Sequence, residues 1–234
     1  MALVYNGVTH AVLMATPADL ADLGVGFSLT EGIVESAEAI EDVEAIEQAD
    51  GWEVRMLVAP DHADKLAARR WAMTGPTGCG MCGVESLAAA VTPPPRVRAG
   101  GRAAAAQVAA AVAAIRDAQP LGRATRAVHA AALWTPEEGV VAAREDVGRH
   151  NALDKLAGAL ARGRHDAADG VIVLTSRVSV EMVQKAARMG ATVLAAVSAP
   201  TALAVRTAEA AGMTLVAVAR DDGFELFTGP ERVL

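Results

Sequence analysis

Short apolar runs alternate with longer amphipathic stretches through the second half of the chain. Residues 171–174, 192–197 and 215–218 are compact apolar runs, and they predict buried strands. Residues 128–134 and 140–143 predict two more strands, joined by the turn Pro136-Glu137-Glu138-Gly139. Between and before them, residues 102–117, 149–162, 178–189 and 201–211 carry helical periodicity. The order helix, strand, strand, helix, strand, helix, strand, helix, strand predicts an α/β fold with a sheet covered on both faces. Ligands of such sheets bind in the turns beyond the strand C-termini.

The first half is less regular. Residues 5–14 predict one strand, and Thr16-Pro17-Ala18-Asp19 predicts a helix start with Thr16 as cap and Pro17 in the first turn. Gly24 and Gly26 inside that helix predict close backbone packing, and Gly32 ends it. Residues 43–46 and 52–58 predict a strand pair, and residues 61–70 and 85–91 two helices around a Gly/Pro-rich loop at 71–83. Thr92-Pro93-Pro94-Pro95, with Gly100-Gly101 beyond, is the best linker in the chain. The predicted organisation is an N-terminal α+β domain at 1–92, a linker at 93–101 and a second domain at 102–234.

Composition narrows the function classes. Of 234 residues, 53% are hydrophobic, which excludes disorder. Alanine alone accounts for 54 positions, which suggests tightly packed helices. A net charge of −7 argues against a nucleic-acid partner, although a local basic patch stays open. No apolar run is long enough to cross a bilayer, and MALVYNGVTH has no signal-peptide pattern, so a cytoplasmic protein without a membrane partner is expected.

The two cysteines, Cys79 and Cys82, lie in GCGMCG. A single pair cannot build a disulfide framework for a secreted chain of this size. Flanking glycines expose the thiols, and a helix starting near Glu85 would favour the thiolate. Four readings compete: a zinc half-site completed by His62 or His129, a redox pair, a persulfide carrier, and two inert buried thiols.

Four turns carry the remaining chemistry. Arg144-Glu145-Asp146-Val147-Gly148-Arg149-His150-Asn151, with Asp154 and Lys155 a turn on, is dense in charge; the bland alternative is a solvated turn with salt bridges such as Arg144 to Asp154. Thr175-Ser176-Arg177-Val178-Ser179 offers hydroxyls and a guanidinium to an anion, against plain capping by Ser176 or Ser179. Ser198-Ala199-Pro200-Thr201 fits plain capping better. Arg220-Asp221-Asp222-Gly223 follows the last strand. Together the turns are expected to ring one end of the sheet and hold an extended anionic ligand with nucleotide or phosphate groups.

TPADLADLGVGFSLTEGI, GCGMCGVESL, REDVGRHNALDK, TSRVSVEMVQKAA and SAPTALAV, which run in the family's order from about residue 6 to the C-terminus, resemble the FdhD family of formate dehydrogenase accessory sulfurtransferases over nearly the whole length. The resemblance implies a cytidine-deaminase-like three-layer α/β/α sandwich after a smaller N-terminal part. It implies sulfur transfer as a persulfide from a cysteine desulfurase to the molybdenum bis(molybdopterin guanine dinucleotide) cofactor, which then enters the formate dehydrogenase catalytic subunit. By position, Cys79 would bear the persulfide and Cys82 assist. Ala217, Val218, Ala219, Arg220, Asp221 and Asp222 would bind the cofactor, and Thr175, Ser176, Arg177 and Ser179 would hold its guanine nucleotide end. Charge further suggests Arg177 and Lys185 for its phosphates. A homodimer is implied. No metal is expected to be bound by the protein's own side chains: the His-x-Glu and Pro-Cys-x-x-Cys of zinc deaminases are absent. A non-catalytic cofactor-binding chaperone and a redox switch are the competing functions. The chain departs from the family at Thr125-Arg126-Ala127, where a Thr-Gly-Gly-type turn is usual, and at Phe227, where Tyr is common.

Overall fold

The computed structural model describes residues 1–59, 93–220 and 222–234. The predicted helices at 61–70 and 85–91, the loop at 71–83 and both cysteines lie outside the described residues.

The N-terminal strand of the sequence reading is two strands. Asn6 and Gly7 both take positive φ, 49° and 80°, and turn β1 (Ala2–Tyr5) back into β2 (Val8–Val12). An Asn-Gly pair at two successive left-handed positions is the favoured two-residue hairpin. With β3 (Ile40–Gln48) and β4 (Gly51–Val58) they form a sheet of order β2-β1-β4-β3. One face packs on α1 (Leu20–Thr30) through Leu3, Tyr5, Val54, Met56 and Phe27. The helix begins at Leu20, not at Pro17, and Thr16 does not cap it: Asp19, at φ 53°, is the residue before the first turn.

The second half is a six-stranded mixed sheet of order β10-β9-β8-β7-β5-β6. Its strands are β5 (His129–Thr135), β6 (Gly139–Asp146), β7 (Val171–Leu174), β8 (Val193–Ala196), β9 (Thr214–Arg220) and β10 (Gly223–Thr228). The strands β7, β8 and β9 run parallel, and β5 is antiparallel to both β6 and β7. One face is covered by α4 (Arg149–Gly163), α5 (Val180–Arg188) and α6 (Ala202–Ala211), the other by α2 (Ala105–Asp117). A short α3 (Pro120–Thr125), which apolar periodicity does not announce, leads into β5. The expected α/β class is therefore observed, with helices on both faces of the second sheet. No described helix is long and apolar enough to cross a membrane.

The strand β9 breaks its own alternation. Leu215 and Ala217 face the α4–α6 side, as a regular strand requires, yet Ala219 lies on the α2 side with Val216. The switch is made at Val218, whose φ is +53°, and the β9–β10 register shifts by one residue there. A β-branched residue at positive φ is a real outlier, with a strain of order 1–3 kcal/mol.

The helices α1 and α4 cross with backbones in contact. A Cβ on Gly26 would overlap the carbonyl oxygen of Asp154, and one on Gly158 the carbonyl oxygen of Asp22. The close packing expected of the α1 glycines is thus met by a matching glycine on the other helix. Because backbone oxygens cannot retreat as a flexible side chain would, Gly158→Ala is expected to destabilise the protein by about 2–3 kcal/mol, read as a lowered urea midpoint. A midpoint within error of the wild type would show that the crossing is not tight.

Candidate functional site

The parallel strands β7–β9 end at one edge of the second sheet, and antiparallel pairing brings the start of β5 and the end of β6 to that same edge. The turn Thr175–Ser179 is zipped to 198–201: Val178 N donates to Ala199 O and Thr201 N to Val178 O, at 3.3 and 2.9 Å. Val218 N donates to Ser198 O at 3.3 Å. His129 is paired with Asp146 across β5 and β6, just before α4. All four turns therefore ring one edge, as the sequence predicts.

Their charges are mostly committed elsewhere. Lys155 and Asp146 are fully buried and 2.6 Å apart. Lys155 Nζ also donates to Thr16 O at 2.9 Å, and Asp146 accepts from Thr16 N, Gly148 N and Asn151 Nδ2. Thr16, expected as a helix cap, instead ties the N-terminal segment to the sheet edge, its hydroxyl accepting from Val147 N at 3.0 Å. Glu145 accepts from the backbone N–H groups of Leu121 and Gly122 in the first turn of α3, where the helix favours a carboxylate. Arg144 pairs with Asp22 at 2.7 Å rather than with Asp154.

Asp154 instead accepts from Thr30 Oγ1 at 2.5 Å and from Lys185 Nζ at 2.8 Å, and Lys185 also reaches Glu31 at 2.6 Å. Burial alone would lower the Lys185 pKa, but Asp154 and Glu31 more than offset it and hold it up at about 12. Lys185 is therefore a buried strut between α1, α4 and α5, and the expectation that it meets ligand phosphates is corrected.

The hydroxyls divide in the same way. Thr175 Oγ1 accepts from Ala130 N at 2.8 Å and so extends the sheet, and buried Ser176 donates to Arg177 O at 3.0 Å. Thr201 caps α6 by accepting from Ala204 N, as the sequence suggests. Ser179 occupies the N-cap of α5 but its buried Oγ has no partner, so neither Ser176 nor Ser179 is a plain cap. Of the cofactor segment, Ala217 and Ala219 are buried, Val218 is half-buried, and Arg220 and Asp222 are exposed beside the strained position; Asp221 lies outside the described residues.

Three more residues stand at this edge: His129, named from the sequence only as a candidate zinc partner, and Arg149 and His150, which the sequence places in the charge-dense turn without an individual role. Arg149 Nε and His150 Nε2 are buried without a hydrogen-bond partner. Burial first, then Arg149 and Arg177, push the His129 pKa below its ordinary value. Burial first, then Arg149 and Lys185, push His150 down to about 4, with Glu181 and Glu31 pulling weakly the other way. Only strand pairing unites His129 with the helix start twenty residues on, so no sequence spacing signals it. His129 belongs to no group of His, Cys, Asp and Glu among the described residues that could hold a metal, and His62 lies outside them.

Residues 1–234 match the family FdhD-NarQ, described as the FdhD/NarQ family. The chain belongs to the FdhD/NarQ family. Proteins named sulfur carrier protein FdhD are similar along the whole chain: 52% identical in Agrobacterium fabrum and 50% in Brucella abortus, each with 87% of the relative covered. The relative in Cupriavidus necator is 48% identical, with 81% covered. A crystal structure from Desulfotalea psychrophila, provisionally named a formate dehydrogenase accessory protein, superposes with a TM-score of 0.74 at 27% identity, covering all of this chain and 87% of the other. Where members of this family were expected to carry a glycine, Arg126 takes the left-handed conformation at φ 56° after α3, so the turn keeps a glycine-like backbone without the glycine.

Two outcomes follow from the buried charges. Lys155→Met would leave Asp146 buried and unpaired, and is expected to cost about 3–5 kcal/mol in urea unfolding; a cost below 1 kcal/mol would overturn the strut. For His150, the unfolded chain titrates near 6.5 and the folded chain near 4. The unfolded state therefore binds the proton first, so this contribution to stability is complete above about pH 6.5 and is lost as pH falls toward 4. Unfolding curves between pH 7 and pH 4 should show a smaller acid loss in His150→Asn than in the wild type, and parallel losses would refute the assignment.

Proposed function

We propose that this protein is a sulfur carrier for formate dehydrogenase maturation. In this reading it takes persulfide sulfur from a cysteine desulfurase on Cys79, with Cys82 assisting, and passes it to the molybdenum bis(molybdopterin guanine dinucleotide) cofactor destined for the formate dehydrogenase catalytic subunit. The cofactor is the substrate. It acts in the cytoplasm, as a homodimer, with no part for nucleic acid or membrane. What supports the carrier role above all is whole-chain similarity to sulfur carrier proteins together with the GCGMCG pair.

The chemistry follows thiol–disulfide exchange. A Cys79 thiolate attacks the outer sulfur of the donor's persulfide, the donor's S–S bond breaks, and the donor leaves as a thiolate. Our reading takes the second sheet as a cytidine-deaminase-like scaffold whose strand-end turns serve ligand docking. Ala217–Asp222 would line the cofactor and Thr175–Ser179 its guanine nucleotide end. Supporting this are the exposed Arg177 and Arg220, the uncommitted Ser179 hydroxyl and the strained Val218 along one edge. Strain of this kind gathers at ligand-binding segments.

Mass spectrometry of the protein after incubation with a cysteine desulfurase and cysteine is expected to find added sulfur on the peptide spanning residues 78–83. Cys79→Ala should reduce that label at least tenfold. Normal maturation and cofactor binding by a double Cys79→Ala, Cys82→Ala variant would instead establish the chaperone. A reversible disulfide with no added sulfur would establish a redox switch.

A further inference from the structure

At the far ends of α4 and α5, away from the strand-end turns, the surface opens into a cavity of about 150 Å³. From Arg149 to Leu160 the helix α4 rises roughly 16 Å, so the cavity is separate from the edge where α4 begins. Its walls are Leu29 of α1, Ala157, Leu160 and Ala161 of α4, Ala167, and Met189 just after α5. All six are apolar, and Ala157, Leu160 and Ala167 are buried. A cavity of this volume with aliphatic walls has room for a six-membered ring.

The mouth of the cavity is cationic. Arg188 and His165 line it, and both are exposed. Arg188 ends α5, and its guanidinium lies against the backbone of Gly32, where a Cβ would displace it. The neighbouring cations are engaged: Arg162 with Asp22, Lys185 with Asp154 and Glu31, and Arg98 with Asp166 and Asp169. Arg164 acts on Glu38. Arg188 has no hydrogen bond or ion pair among the described residues. Nor do the helix ends need it as a cap. Leu29 O accepts from Gly32 N, Leu160 O from His165 N and Ala187 O from Gly190 N.

We propose that this cavity binds a small monocarboxylate with a compact apolar body, its carboxylate on Arg188 and its body against Leu29, Leu160 and Met189. Size and charge select this class. One uncommitted guanidinium matches one carboxylate, in a two-pronged geometry that lysine cannot offer. The His165 ring can donate a further hydrogen bond to the same head group. The walls hold nothing for a second charge, so a ligand charged at both ends would bury one of them unpaired. An apolar body gains by leaving water, and a cation would be repelled by Arg188. Thr30 also lines the cavity, but its hydroxyl is committed to Asp154. An occupant would therefore touch the Asp154–Lys185 strut without competing for it. The site is independent of the sulfur-carrier reading.

Titration of the isotope-labelled full chain with benzoate, benzyl alcohol and acetate at constant ionic strength, followed by amide NMR shifts, tests the cavity. Benzoate is expected to bind and to shift the amides of residues 29–30, 160–161 and 188–189. Benzyl alcohol should bind more weakly at the same place, and acetate, which has almost no body to bury, should not saturate. Arg188→Gln should weaken benzoate about tenfold, the effect of losing one charge-assisted contact, and leave benzyl alcohol unchanged. Ala161→Leu, which fills the cavity from its half-buried wall, should abolish binding of both. Arg188 is exposed, so its variant keeps the test decisive if Ala161→Leu folds poorly. The site is overturned by the absence of saturable shifts with benzoate, or by acetate binding as tightly as benzoate. Wild-type affinity for benzoate in Arg188→Gln, or in a folded Ala161→Leu, overturns it equally.

Discussion

The buried Lys155–Asp146 pair is the constraint on which the arrangement of this molecule turns. Neither group touches solvent, so each charge is tolerable only while the other is in place. Asp146 ends β6, and Lys155 lies in the second turn of α4, so the pair fixes how that helix leaves the sheet. Both members also grip the backbone of Thr16, on the way into α1. One ion pair thus sets the entry of two helices. Those same two helices meet at Gly26 and Gly158, where there is no room to adjust. The Asp154–Lys185 strut then joins α5 to the same assembly.

This network explains why a charge-dense turn does not make every charge functional. A sequence shows Arg144, Glu145, Asp146, Arg149, His150, Asp154 and Lys155 as one cluster. The fold separates them by direction. The acids and Lys155 point into the protein and hold α1, α3 and α4, whereas Arg149 Nε and His150 Nε2 at the sheet edge are left without a hydrogen-bond partner. The same sorting divides Thr175 and Ser176, which serve the backbone, from Arg177 and Ser179, which do not.

What could be read from the sequence tracks the strength of local signals. The strands within 171–174 and 192–197 are buried on both faces and wholly apolar, Val171–Leu174 and Val193–Ala196, so the predicted runs match β7 and β8 closely. The Asn6-Gly7 hairpin also had a local signal, an Asn-Gly pair between apolar residues, which the reading of one continuous strand passed over. The strand β10 has no comparable apolar signal, because its residues are mostly exposed or half-buried and it gains its partners only by pairing with β9. Thr16-Pro17 resembles a helix start by every local rule, and tertiary hydrogen bonds to Asp146 and Val147 override it. The edge turns were legible because each follows an apolar strand. The choice of which side chains remain available was not, since it depends on partners 120 or more positions away, as for Lys185 with Glu31 and Arg144 with Asp22.

The net charge adds a last physical point. A chain of −7 repels anions at long range, and seven acids with no basic residue lie between positions 35 and 50, in and around β3 of the other sheet. At physiological ionic strength that repulsion fades over about 8 Å. A local excess of arginine and histidine, freed by turning the neighbouring acids inward, can therefore act on an anion in contact while the surface as a whole remains acidic. Selectivity would then favour a ligand that reaches the edge and satisfies several donors together over small anions drawn by charge alone. The off-pattern backbone at Val218 carries Ala219 to the opposite face of the sheet, and Val218 N ties the strand to Ser198 O in the neighbouring turn.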